Sequence, residues 1–302
     1  MKDTTVVIVT YNSQDCIGRC LDSLVGEECI AKVVIVDNAS VTAPTALESE
    51  YATRGFPVSV IMMATNLGFA GGCNVGACAA KTRFVLFLNP DTIVLDHAVD
   101  ASVQKAQNID RLGVMGCRLV DARGQHQTSV FRIPTPWNDF LTSLGLTRVI
   151  HSIEPSGAGL MEVQGFLTGA FLLMQRDTFF SIGRFREDYF MYAEDVDLCY
   201  RLLRKGLRVL YNADDEVVHL GNQAGAAAFG DQRLKHVYVS LMRFQRNYWH
   251  GWFFPAFCAR ALGLGLRYLM FPGKHHSYRM ALVANYNAFC AVRGTNAQAG
   301  VQ

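Results

Sequence analysis

Acidic residues almost vanish from the last quarter of the chain. Residues 225–302 contain one, Asp231, against nine lysines and arginines, while residues 1–224 carry an excess of acid. The overall charge of +2 therefore conceals a basic tail, and such a segment attracts phosphates, of nucleic acid or of an anionic lipid surface. Paired cysteines are missing too. None of the nine forms a C-x-x-C, and their scatter through hydrophobic runs reads as reduced, buried thiols in a cytoplasmic protein. No signal peptide precedes the first strand-like run, which agrees with that compartment. Charge is sparse, at 18% against 50% hydrophobic residues, so disorder is excluded. A chain of 302 residues can bury one large core or two smaller ones. There is no internal repeat and no low-complexity tract.

What is present is an alternation. Thr5-Val6-Val7-Ile8-Val9, Val33-Val34-Ile35-Val36, Val58-Ser59-Val60-Ile61 and Phe84-Val85-Leu86-Phe87-Leu88 are short apolar runs that predict buried strands. Between the first two, Cys16, Ile17, Cys20, Leu21 and Leu24 recur at helical spacing, with Ser13 placed to cap the helix and Gly26 to end it. A small-residue helix is expected over roughly 71–80. Continuously apolar strands alternating with helices predict an α/β, Rossmann-like, mostly parallel sheet covered on both faces. Ligands of such sheets bind beyond the carboxyl ends of the strands. The polar residues fall there: Thr10-Tyr11-Asn12, Asp37-Asn38-Ala39-Ser40, Asn66, and Asn89-Pro90-Asp91. Residues 111–136 suggest strands and turns ended by Pro134 and Pro136. Residues 138–160 read as a loop with some helix, and 165–174 rejoin the core.

Each polar position has two readings. Asp37 either accepts from a pyrimidine ring N–H or satisfies its own turn. The glycine-bearing loop Asn66–Asn74 either meets a diphosphate with backbone N–H groups or simply enters a helix; it is not the dinucleotide fingerprint, since G-x-G-x-x-G is absent. Asp91 suits a divalent cation bridging a diphosphate, or a plain Pro-Asp turn. Glu194 and Asp195 open a helix, where the macrodipole favours acids. Asp195 lies on the side of Leu198, Cys199 and Leu202 and so faces the interior or a pocket, while Asp197 reads as a surface or capping acid. His219 follows Val217-Val218 at another strand end, 24 residues after Asp195.

With those residues in view, the chain resembles the inverting GT-A glycosyltransferases of family 2, in particular their rhamnosyltransferase-like group. The resemblance spans about residues 4–222. It rests on Val9–Ser13, Val36–Ser40, Asn66–Gly72, Leu88-Asn89-Pro90-Asp91-Thr92, Thr168-Gly169-Ala170-Phe171, Phe190–Leu198 and Val218-His219. It implies a GT-A domain over 1–224, followed by a basic, aromatic-rich helical extension over 225–302. By the same resemblance, Thr10, Tyr11, Asn12, Asp37, Asn66, Gly68 and Asp91 hold the nucleotide. Asp91 and His219 hold Mg²⁺ or Mn²⁺, Asp195 is the general base, and Glu194 orients donor or acceptor. Two departures stand out. Asn89 replaces the first acid of the family's D-x-D, so the metal has fewer anionic ligands. Gly183-Arg184-Phe185-Arg186-Glu187 carries two arginines where relatives have a glycine and an acid, and these arginines offer a phosphate contact instead.

The implied activity is transfer of a single sugar from a nucleotide sugar. dTDP-rhamnose is the favoured donor and a UDP-hexose the second choice. The acceptor is a hydroxyl on a saccharide or lipid-linked saccharide of the bacterial envelope. A processive synthase is disfavoured because Gln245-Arg246-Asn247-Tyr248-Trp249 does not fit Gln-x-x-Arg-Trp. A sugar-nucleotide pyrophosphorylase would open with a glycine-rich loop ending in basic residues, which residues 9–20 lack. The competitor from another class is a non-catalytic nucleotide-sugar-binding membrane scaffold. In the tail, residues 252–271 are mostly apolar but interrupted by Pro255, Arg260 and Arg267. That suits lying in the interface of the inner membrane's cytoplasmic face better than spanning it. The alternative is packing on the core or on a second subunit as a homo-oligomer; nucleic acid is excluded as a partner because bulky apolar residues outnumber the basic ones.

Overall fold

The computed structural model describes residues 2–145, 152–221 and 232–294. The first part alternates as expected: β1 (Thr4–Thr10), α1 (Gln14–Leu24), β2 (Ile30–Asp37), α2 (Ala46–Thr53), β3 (Val58–Met62), α3 (Gly68–Ala79) and β4 (Phe84–Leu88). Then follow β5 (Thr92–Val94), α4 (Ala98–Ala106), β6 (Leu112–Val120), β7 (His126–Gln127), β8 (Val130–Phe131), α5 (Pro136–Ser143), β9 (Leu160–Glu162), β10 (Phe166–Leu167) and β11 (Phe171–Gln175). The rest comprises α6 (Arg176–Ser181), α7 (Glu194–Arg204), β12 (Arg208–His219), α8 (Gln232–Tyr248), α9 (Phe253–Met270) and α10 (His275–Gly294).

The main sheet runs β3-β2-β1-β4-β11-β6-β12-β5. Its first four strands are parallel. β11 then enters antiparallel to both β4 and β6, β6 and β12 are parallel, and β5 closes the edge antiparallel to β12. The parallel half matches its sequence pattern, and the sheet as a whole is mixed. Alternate residues of β1 feed opposite faces. Val6 and Ile8 join a core with α1 and α4, whereas Val7 and Val9 join one with α3, α6 and α7. The glycines of α3 let it lie close to the sheet, since a Cβ on Gly76 would meet Val7 at 2.3 Å.

Several local expectations are corrected. Ser13 occupies the N-cap position of α1, but its hydroxyl exchanges hydrogen bonds with the Tyr11 backbone instead of capping. Pro136 starts a helix rather than ending a strand. It is the first residue of α5, where a missing N–H costs nothing, and Thr135 caps that helix by accepting from Asn138 N at 3.2 Å. The loop expected over 138–160 therefore begins as helix, and its residues 146–151 lie outside the described residues. Of the nine cysteines, Cys78, Cys258 and Cys290 are exposed, so only the other six are the buried thiols expected.

In the tail, α8, α9 and α10 pack with α5 around a buried polar network. Arg260 on α9 pairs with Asp139 on α5 and donates to Gln245 on α8 at 3.0 Å and Asn285 on α10 at 2.9 Å. Among the described residues, no helix is long and apolar enough to cross a membrane.

Candidate active site

The carboxyl ends of β1, β2 and β4 open on a cleft of about 370 Å³, with loops before α3 and α7 as its other walls. Thr10, Tyr11, Asn66, Gly68, Asp91, Glu194, Asp195 and His219 all line it. Two expected nucleotide contacts do not. Asp37 is fully buried and lines an adjoining hollow with Thr10, Ser13 and Ser40. Its carboxylate accepts from Thr10 Oγ1 at 2.9 Å and from Ser40 N at 2.9 Å, the contacts of a turn-forming Asp. Asn12 is exposed and clasps the same turn, accepting from Val41 N at 2.9 Å.

Gly68 earns its place by close approach. Its φ is +74°, and a Cβ there would lie 2.0 Å from the Phe190 carbonyl oxygen. Its N–H is taken by Asn66 Oδ1 at 2.9 Å, and the N–H of Phe69 by Phe190 O at 3.0 Å. The glycine loop thus brings two walls of the cleft together, and these two N–H groups are not offered to a phosphate.

Antiparallel pairing of β12 with β5 sets His219 opposite Thr92, beside Asp91. His219 Nε2 lies 3.5 Å from Asp91 Oδ1. On the other side of the ring, Nδ1 meets Gln127 Oε1 at 2.6 Å. An amide oxygen only accepts, so Nδ1 carries a hydrogen, and in the neutral ring Nε2 then keeps its lone pair. Asn89 Nδ2 faces that nitrogen at 3.4 Å as a donor. In that tautomer two lone-pair atoms converge with neither able to donate to the other, and Asp91 is 3% exposed. That donor set fits a divalent cation whose remaining ligands come from a diphosphate and water. Among the described residues, three close metal-type donors also gather at Glu27, His97 and Asp100. They do not line the cleft, and both carboxylates are engaged by backbone N–H groups that clasp the turn after α1 to α4.

The acidic start of α7 lines the same cleft. Tyr192 and Ala193 both adopt left-handed φ, 67° and 64°, a strained turn costing about 1–3 kcal/mol per residue that swings Glu194 and Asp195 into the cleft. Asp195 Oδ2 accepts from Gly169 N at 3.1 Å and Oδ1 from Val196 N at 2.8 Å. Burial raises its pKa to about 6, and those N–H groups limit the rise. Glu194 is 6% exposed, its Oε2 has no hydrogen-bond partner among the described residues, and burial followed by the neighbouring Asp195 charge holds it well above the carboxylate range. One cleft is therefore lined both by a carboxylate whose pKa is raised to about 6 and by two donors, Asp91 and His219, that fit a cation.

Asp197 is the reverse of its expected surface acid. It is 0% exposed and accepts from Arg201 Nε at 2.7 Å and Tyr248 Oη at 2.6 Å. Arg184 and Arg186 lie outside the cleft lining, with Arg186 paired to Asp188 at 3.2 Å. The phosphate contact expected of them does not form part of this cleft. Gln127 and Thr168 line the cleft; nothing in the sequence points to Gln127, and Thr168 falls within a motif of the resemblance that assigns it no role. Gln127 sits on a two-residue strand with no motif around it, so only the fold could have brought it to His219.

Residues 5–161 match the family model described as Glycosyl transferase family 2, and residues 84–292 that described as Glycosyl transferase family group 2. The Rhamnosyltransferase WbbL of Escherichia coli (strain K12) is 24% identical over 234 residues, covering 74% of this chain and 86% of that one. The N-acetylglucosaminyl-diphospho-decaprenol L-rhamnosyltransferase of Mycobacterium tuberculosis is 30% identical over 241 residues, 71% of this chain and 75% of that one. The solved structure of mannosyltransferase PcManGT from Pyrobaculum calidifontis, in complex with GDP-Man and Mn²⁺, superposes with a TM-score of 0.59 at 17% identity. That superposition covers 99% of this chain and 88% of that one, a likeness of fold.

Proposed function

The chain belongs to glycosyl transferase family 2 and has the GT-A fold, and from that premise we propose that it transfers a single rhamnose from dTDP-rhamnose, with inversion at the anomeric carbon. The acceptor is a hydroxyl of a saccharide or lipid-linked saccharide in bacterial envelope polysaccharide assembly, used at the cytoplasmic face of the inner membrane. The observation carrying this proposal is that one cleft is lined by both the Asp195 carboxylate and the Asp91–His219 pair. The sugar for which the two rhamnosyltransferase relatives are named supports the choice of rhamnose, and the lipid acceptor in the name of one of them supports the choice of acceptor.

Asp195 removes the proton of the acceptor hydroxyl as its oxygen attacks the anomeric carbon. The bond from that carbon to the diphosphate oxygen breaks, and the nucleoside diphosphate departs from the opposite face. Gly169 N–H and Val196 N–H fix the base in position. Glu194, through its unpartnered Oε2, orients a sugar hydroxyl. Thr10, Tyr11 and Asn66 flank the nucleotide, with Asp37 and Asn12 shaping the adjoining hollow. Asp91 and His219 would hold Mg²⁺ or Mn²⁺, which when bound neutralises charge growing on the leaving diphosphate.

A panel of nucleotide sugars, each incubated with and without Mn²⁺ or Mg²⁺, tests this through acceptor-dependent release of nucleoside diphosphate. dTDP-rhamnose is expected to turn over with metal; turnover of a UDP-hexose instead would replace the donor and keep the chemistry. Asp195→Asn is expected to lose about 10²–10⁴ in rate while still binding nucleotide. Full transfer by that variant would remove Asp195 from the role, and no turnover of any nucleotide sugar would leave a binding scaffold.

A further inference from the structure

The outer face of α9 is apolar from end to end. Phe254, Cys258, Leu262 and Leu266 are exposed at a spacing of four residues, and Leu269, Met270 and Phe271 extend the strip. Leu269 is 73% exposed. The two arginines that interrupt this stretch in the sequence do not interrupt the face. Arg260 is buried against Asp139, and Arg267 lies over the Tyr278 ring at 4.7 Å. α10 returns antiparallel, with Phe289 stacked on Phe257 at one end and His275 on Tyr268 at the other. It too exposes apolar side chains, Met280, Val283 and Tyr286. Lys274 and Arg279 are exposed where the hairpin turns.

An apolar strip of this extent on a soluble face marks a docking surface, and charge decides what docks. Residues 232–294 contain no Asp or Glu. A second copy meeting this face about a two-fold axis would bring no acid of its own hairpin to Lys274 and Arg279, and so would leave both cations uncompensated. A bilayer bearing anionic headgroups takes both features together: acyl chains for the strip, phosphates for the cations. α9 is not apolar enough to span, so it lies along the surface.

We propose that the outer face of the α9–α10 hairpin is a lipid-docking surface that lays α9 along the headgroup–acyl boundary of an anionic membrane, with Lys274 and Arg279 at the phosphates. This deepens the membrane part of the proposed function by naming the surface, but vesicle binding is read without any sugar. A chain that binds vesicles and transfers nothing would sink the transfer proposal alone, and one that transfers but ignores vesicles would sink this one alone.

The full chain should cosediment with vesicles of equimolar phosphatidylglycerol and phosphatidylcholine and more weakly with phosphatidylcholine alone. Leu262→Asp/Leu269→Asp should lower the partition coefficient at least tenfold, and Val41→Asp, at an exposed position outside the tail, should not. Lys274→Glu/Arg279→Glu should erase the preference for anionic vesicles, each lost cation being worth about fivefold. The unaltered protein offers a second measurement that needs no substitution. A bulky water-soluble maleimide should label the exposed Cys78, Cys258 and Cys290 in solution, and anionic vesicles should protect Cys258 and Cys290 while Cys78 keeps reacting. Undiminished vesicle binding by the Leu262/Leu269 variant would overturn the proposal. So would protection of Cys258 and Cys290 that rises with protein concentration and needs no lipid, because a second copy would then be the occupant.

Discussion

Asp195 and Glu194 are adjacent acids with the same burial problem and different partners. Asp195 keeps two backbone N–H donors and its pKa rises only to about 6; Glu194 Oε2 has no donor and stays higher. A base must be ionised to accept a proton, so kcat/KM for transfer should climb with pH up to about 6 and level off above it. A flat profile through that region would argue against Asp195 as the base. Glu194 leads to a stability prediction. Its folded pKa exceeds its unfolded one, so between the two the folded state holds a proton that the unfolded state has lost, and stability falls as pH rises. Glu194→Gln should therefore raise the thermal midpoint at about pH 8 and leave it unchanged at about pH 4, as scanning calorimetry would show.

At the scale of the element, α7 presents Glu194 and Asp195 to the cleft because Asp197 holds it from behind. That carboxylate gathers Arg201, Tyr189 and Tyr248, and Arg201 goes on to donate to the carbonyls of Ile182 at 2.6 Å and Arg184 at 2.8 Å. One buried acid thus pins α7 to the preceding loop and to α8. Removing it strands a guanidinium with a single kind of partner lost, and Asp197→Ala should cost about 3 kcal/mol in denaturant unfolding. Asp177→Ala, whose side chain is 96% exposed, should cost almost nothing. The side of the helix on which Asp197 falls was readable from its spacing; that a tyrosine from α8 covers that side was not. α2 shows the opposite limit, since it buries only Tyr51 and so has no apolar period to read.

Across the whole molecule, the C-terminal helices are tied to the part of the fold that holds the cleft through polar contacts as well as packing. Ser240 on α8 donates to the Met191 carbonyl at 2.8 Å, reaching the loop that lines the cleft. Asp139, Gln245, Arg260 and Asn285 join four helices in one buried network. Breaking a buried ion pair leaves an uncompensated charge, so Arg260→Ala should destabilise the protein by about 3–5 kcal/mol. Replacing both partners with apolar residues removes the desolvation cost along with the attraction. The pair Asp139→Leu/Arg260→Met should then be more stable than Arg260→Ala alone, and chemical denaturation of the three proteins would show the order.

Sequence by itself determined the parallel half of the sheet, because continuous β-branched runs have few other places to go than a strand buried on both faces. It also determined which strand ends carry polar groups, and hence that Thr10, Asn66, Asp91 and His219 share one edge, to which the family resemblance added Asp195. Tertiary structure alone decided the rest. Long-range pairing of β12 with β5 brought His219 to Asp91, and the two-residue strand β7 brought Gln127 to His219. The approach of Gly68 to Phe190 closed the cleft wall. Packing of α5 on α9 turned Arg260 from a break in an apolar stretch into a buried tie. These contacts join residues as far apart as Asp91 and His219, and no local period or propensity encodes a partner at that distance.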